Sequence, residues 1–196
     1  MGTTDVDICN TALTMLGEEP ILALSEDNKP ARFCNANYNN QRKMVLRAGR
    51  WNSAILRSTL AVISTAPVWG FARAFQLPAD YLRLVEMESP KERWRIQGRT
   101  ILSDLSTMQI TYVSDLEDVS IMEDTLQDAI ASKLASILAV PLTGNRDLMR
   151  DMQAIYKDSV AEARYMNAQE SSVEAVEGYS WVDARVGAGG VYRAIS

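Results

Sequence analysis

Residues 77–113 read LPADYLRLVEMESPKERWRIQGRTILSDLSTMQITYV, and the period of their apolar residues decides how the chain divides. In MQITYV, Met108, Ile110 and Tyr112 alternate with polar neighbours, the two-residue repeat of a half-buried antiparallel strand. YLRLVEME, RWRIQ and TILSD are similar short runs, and Pro78, Pro90 and Gly98 punctuate them as hairpins require. With Pro67 and Gly70 upstream, the stretch 59–113 reads as strands and hairpins.

On both sides of this stretch the period is helical. In TTDVDICNTALTMLGEEP, Thr4 and Asp7 form a capping-box pattern, Val6, Cys9, Leu13 and Leu16 recur at helical spacing, and Gly17 and Pro20 end the segment. A second helix runs to about Gly49, with Asn28 as its cap and Pro30 in the first turn, where a missing N–H costs no bond. A third is expected over 120–140, opened by a Ser120–Glu123 capping box, lined by Leu126, Ile130, Leu134, Ile137 and Leu138, and stopped by Pro141. A fourth begins near Asn145 and carries Leu148, Met152, Ile155, Ala163 and Met166 inward, antiparallel to the third across PLTG.

The expected fold is therefore mainly α: a helical-bundle core of about four helices, an inserted small antiparallel β-rich subdomain, and an extended C-terminal arm. The expected segments are 1–58 for the N-terminal helical part, 59–116 for the β-rich insertion, 117–168 for the C-terminal helical hairpin and 169–196 for the tail. In that tail the periodicity fades, and Trp181 and Tyr192 are isolated aromatics. It is either disordered or a docking arm that orders on a partner, with those two rings as anchors.

The chain has 196 residues, nearly half of them apolar, enough for one domain with a core. Its first residues lack a signal-peptide pattern, and no run approaches the roughly 18 apolar residues of a membrane span, so a soluble protein made in a cytosol is expected, without membrane contact. Cys9 and Cys34 occupy apolar positions without CxxC spacing and read as reduced core residues. There is no histidine, which removes Ser/His and Cys/His nucleophile pairs and HExxH zinc sites. With no P-loop, GxSxG or strand-borne GxGxxG either, the expectation is a protein that is not an enzyme and carries no catalytic residue, cofactor or metal.

Charge is polarised along the chain. Five basic side chains and no acid lie between Arg42 and Arg57, although the net charge is −5. On the second helix Arg47 and Arg50 fall within roughly 40° of Lys43, opposite Cys34, Tyr38, Gln41, Val45 and Ala48. This stripe is a solvated face, a contact for an acidic surface of another subunit, or a contact for nucleic-acid phosphate. Between Leu102 and Asp128 there are seven acids and no base, of which Asp115, Glu117 and Asp118 precede the third helix as a compact loop. Calcium would suit such oxygens, but the Gly and distal Glu of an EF-hand are missing. A basic face and an acidic loop on one protomer can each meet the other's complement on a neighbour, and such a heterologous contact closes into a ring. The interface candidates are thus Lys43, Arg47, Arg50, Asp115, Glu117, Asp118, Trp181 and Tyr192.

DICNTALTMLGEEPI, RWNSAILRSTLA, VWGFARAFQLPADYLRLVEME, ILSDLSTMQITYVSD and the closing helical pair together resemble, in order, the tail tubular protein A family of bacteriophage head-to-tail adaptors. The resemblance spans roughly residues 5–170. Its most telling parts are Leu16–Gly17, Trp51–Asn52 and the block from Leu77 to Leu84, and it departs at Ser53, where an aromatic often follows Trp-Asn. The resemblance implies a structural virion protein at the head–tail junction, assembled in the host cytoplasm. It implies a homo-oligomeric ring, commonly a dodecamer, beneath the portal protein and above a downstream tail or nozzle protein. Genomic DNA would pass through the lumen without sequence-specific binding. Against this stand two other readings, a virion-associated peptidoglycan hydrolase using paired carboxylates and a small helical DNA-binding module.

Overall fold

A computed structural model of the chain describes residues 3–170. In order the elements are α1 (Asp5–Leu16), α2 (Lys29–Ala48), β1 (Ile55–Thr59), β2 (Arg73–Gln76), β3 (Tyr81–Met87), β4 (Trp94–Gln97), β5 (Thr100–Ser103), β6 (Gln109–Ser114), α3 (Asp124–Thr143) and α4 (Arg146–Glu170). The expectation of a mainly α protein with one small β subdomain is corrected: the chain is a mixed α/β fold, with four helices and two three-stranded antiparallel sheets among the described residues. The sequence reading lacked β1 and β2. Neither ILRST nor RAFQ alternates in hydrophobicity, and both owe their extended form to distant partners, β1 to β6 and β2 to β5. β1 straddles the 58/59 boundary expected for the insertion.

The helix ends follow local chemistry. Thr4 accepts the Asp7 N–H while Asp7 takes the Thr4 N–H at 2.8 Å, and Gly17 closes α1 at φ 73. Asn28 caps α2 through the Ala31 N–H at 2.8 Å, with Pro30 in the first turn. Two expectations about α3 are overturned. The Ser120–Glu123 box does not form, because Ser120 lies in a 3-10 turn (Val119–Ile121) whose start Asp118 caps through the Ser120 N–H and hydroxyl. Nor does Pro141 end the helix, which runs to Thr143 and closes at Gly144, φ 70, whose N–H reaches the Val140 carbonyl at 2.9 Å. A proline in the last turn removes a single bond, and the sealed positions Leu138 and Ala139 hold the helix against that loss.

α3 is the centre of the helical layer, packed by α1, α2 and α4. Leu126, Ile130, Leu134 and Leu138 are fully sealed, and the buried Ser132 and Ser136 hydroxyls donate back to the carbonyls of Ala129 and Lys133. α4 turns a face slightly rotated from that expected. Met152, Val160 and Ala163 are buried and Leu148, Met149 and Tyr156 pack beside them, whereas Ile155 and Met166 are exposed. Among the described residues no helix is long and apolar enough to cross a membrane.

The sheets have orders β1-β6-β3 and β2-β5-β4. β6 has two covered faces. Val113 joins the helical core along with Trp51 and Ala54, while Ile110 and Tyr112 join Phe75 and Ile101 in a second core between the sheets. The molecule is thus layered as helices, first sheet, second sheet. Residues 60–63 stitch the sheets along one flank: the Leu60 N–H donates to the carbonyl of Met108, just before β6 of the first sheet, and the Ile63 N–H to that of Ala74 in the second, both at 2.8 Å. The other flank, where β3 and β4 are the outer strands, is crossed by the connection that joins them, residues 88–93.

Candidate interaction surfaces

Arg42 and Lys43 are adjacent in sequence but differ in what they do. Arg42 follows Tyr38 by four residues and precedes Val45 by three, which sets it on the inward stripe of α2. Only 2% of its side chain is exposed. A guanidinium so deeply placed needs compensation, and the acidic loop after β6 supplies it. Arg42 Nη2 lies 3.1 Å from Asp115 Oδ1 and 3.4 Å from Glu117 Oε1, and Nη1 donates to the Leu116 carbonyl. Lys43, on the rim of the same turn, places its Nζ 2.7 Å from Asp115 Oδ2. Asp115 therefore receives a cation on each oxygen.

Of the sequence-predicted residues, the structure brings Lys43, Asp115 and Glu117 together within one chain, around an arginine that the stripe reading left out. The spacing of Arg42 from Tyr38 and Val45 was the signal that it points inward. Asp118 is exposed and caps the 3-10 turn, and hydrogen bonds from the Ser120 hydroxyl and then its N–H hold its carboxyl below the usual range. Arg47 and Arg50 remain exposed on α2 and just after it, and neither meets a carboxylate among the described residues. Trp181 and Tyr192 lie outside the described residues.

The Trp-Asn pair at the start of the β part serves the core. Trp51 is fully sealed, and its indole N–H donates to the Val45 carbonyl at 3.0 Å. The same α2 terminus is held from the sheet side, where Arg83 of β3 donates to the Gly49 carbonyl at 2.6 Å. Leu77, which opens the Leu77–Leu84 block, is buried between the sheets, and Asp80 accepts the Tyr112 hydroxyl at 3.1 Å.

Two surfaces were missed in sequence. The loop before β2 presents Val68 at 99% and Trp69 at 80% exposure, held out between Pro67 and Gly70. The Pro-x-Trp-Gly pattern, a large aromatic inside a loop, was the available signal. The second is the open flank between β3 and β4, lined by Tyr81, Leu84, Met87, Pro90, Trp94 and Ile96. Among the described residues no three His, Cys, Asp or Glu side chains gather as metal ligands would. No protein-family model matches the chain, and no curated protein matches it.

Proposed function

We propose that this chain is a structural virion protein, a head-to-tail adaptor that forms a ring between a portal protein and the tail and encloses the DNA channel. The observation that carries the reading is the Val68–Trp69 tip: two large apolar side chains held in solvent at a loop end. Large apolar groups displayed in this way suit contact with another polypeptide, and tryptophan buries much area there for little lost rotamer freedom. Exposed Arg47 and Arg50 add a charged element that selects register more than it adds affinity. The ordered resemblance over residues 5–170 supplies the rest of the reading, namely ring closure with about twelve copies, the portal above and a tail protein below.

The test is a mass measurement of the purified chain with and without the portal protein of the same particle, joined to labelling of the chain in assembled particles. A ring-sized species with portal and label at the neck are expected. Persistent monomer in the presence of portal, or label elsewhere on the particle, overturns the proposal.

A further inference from the structure

We propose that two copies of this chain pair face to face along α2, each setting Arg47 and Arg50 against the acidic cavity that the other holds between the start of α1, the middle of α2 and the segment after β6. This is a contact of the free chain and does not depend on the adaptor reading. The cavity has a volume of about 440 Å³, and Asp5, Tyr38, Asn39, Arg42, Glu117 and Asp118 are among the residues that line it. Its charge is unbalanced. Arg42 and Lys43 are matched inside the chain by Asp115 and Glu117. Asp5 and Asp118 are not: Asp5 accepts the Val6 N–H and Asp118 the Ser120 N–H and hydroxyl, and neither meets a cation among the described residues. A polar group is also left over. Tyr38 is 5% exposed, and its hydroxyl, on which both Asp5 and Arg42 act electrostatically, has no hydrogen-bond partner among the described residues. Two carboxylates and an unused hydroxyl suit a guanidinium, which offers several N–H donors and no acceptor.

The same helix selects the occupant. Arg47 and Arg50 are exposed and meet no carboxylate among the described residues, so the unmatched cations of one copy complement the unmatched carboxylates of another. At roughly 100° per residue, Asn39 lies within about 40° of Lys43 on one side and Arg47 within about 40° on the other, so the cavity and the basic end share one face of α2, about 12 Å apart along its axis. Lys43 is midway between them. Two copies laid antiparallel on this face bring each Arg47 level with the other's Asn39, an isologous contact in which every charge pair occurs twice and whose two-fold axis passes Lys43. Two bare ammonium groups would repel each other at that axis, but Asp115 already neutralises each Lys43 at 2.7 Å.

The test is sedimentation velocity of the full-length chain alone, over a concentration series and at low and high salt. Expected is a monomer–dimer equilibrium that shifts towards monomer as salt screens the charge pairs. A chain with Arg47→Glu and Arg50→Glu, and another with Asp5→Lys and Asp118→Lys, should each stay monomeric, and mixing the two should restore a dimer, because each then offers the charge that the other lacks. A parent chain that is monomeric throughout, a dimer indifferent to salt or to either pair of substitutions, or a mixture that stays monomeric overturns the proposal. Circular dichroism checks the fold of each variant. Should the lysine-bearing chain not fold, Asp5→Asn decides: dimerisation about tenfold weaker supports the contact, since each dimer loses the pair twice, and unchanged dimerisation rejects it.

Discussion

The Lys43 ammonium lies 2.7 Å from the Asp115 carboxylate of its own chain, and the other oxygen of that carboxylate faces the sealed Arg42 guanidinium at 3.1 Å. The basic and acidic poles therefore meet inside one protomer. Removing Asp115 leaves the buried guanidinium with the exposed Glu117, at 3.4 Å, and the Leu116 carbonyl as its partners, whereas removing Lys43 breaks only a rim pair. Asp115→Asn is expected to lower unfolding free energy by about 3 kcal/mol, and Lys43→Met by less than about 1 kcal/mol, both read from urea unfolding. Equal losses would mean that Arg42 does not depend on Asp115.

Arg47 and Arg50 have no such internal duty. Arg47→Glu with Arg50→Glu is expected to leave stability within about 0.5 kcal/mol of the parent while reducing ring formation with portal. Unchanged assembly removes both residues from the contact. Lys43→Glu, by contrast, should weaken the monomer itself, because it sets a carboxylate against Asp115.

Gly49 is confined by the neighbouring indole. A Cβ at this position would stand 2.5 Å from two atoms of the Trp51 ring, although the Gly49 backbone, at φ −104, is open to any residue. Gly49→Ala is therefore expected to cost about 1–3 kcal/mol through overpacking, with a shift in Trp51 fluorescence. A silent substitution would show that the ring can move aside.

Cys9 and Cys34 are buried and free. The hydrogen bond with Cys34, aided by burial, holds the Cys9 thiol well above its ordinary range, so little thiolate is present there at neutral pH. Ellman's reagent should fail to label Cys9 in the folded chain and should label it once urea unfolds the protein. Prompt labelling of Cys9 in the native state would contradict the packing of α1 on α2.

Burial pushes the Tyr112 hydroxyl up to about 12, with the nearby Asp80 carboxylate adding to the effect, and burial likewise raises Tyr38 to about 12 against the pull of Arg42. Unfolded tyrosine titrates near 10. Between those values the folded chain keeps protons that the unfolded chain releases, so the stabilisation is complete below about pH 10 and is lost as pH rises through about 12. The combined variant Tyr38→Phe, Tyr112→Phe should show a shallower fall in urea midpoint from pH 9 to 11 than the parent. Parallel slopes would refute the shift.

What was legible in the sequence was local. Thr4 with Asp7, Asn28 with Pro30, and the alternation of Met108, Ile110 and Tyr112 each reported a true element. The failures were also physical. Ile55–Thr59 and Arg73–Gln76 carry no period of their own and become strands by pairing with residues far along the chain. Pro141 was read by a rule for isolated helices that packing in α3 overrides. Of the candidate residues, the charge pattern singled out Lys43 and Asp115 separately, but not that they are partners.

The amino-acid sequence by itself determined the helix starts, most of the strands and the two charged poles, because caps and periodicity arise among residues within about four positions of one another. Only the tertiary structure decided that the poles neutralise each other around Arg42, that two sheets form a core of their own, and that one flank of that core stays open. Arg42 and Leu116 stand 74 residues apart, and contact across that separation is set by how the layers stack, which no local pattern encodes.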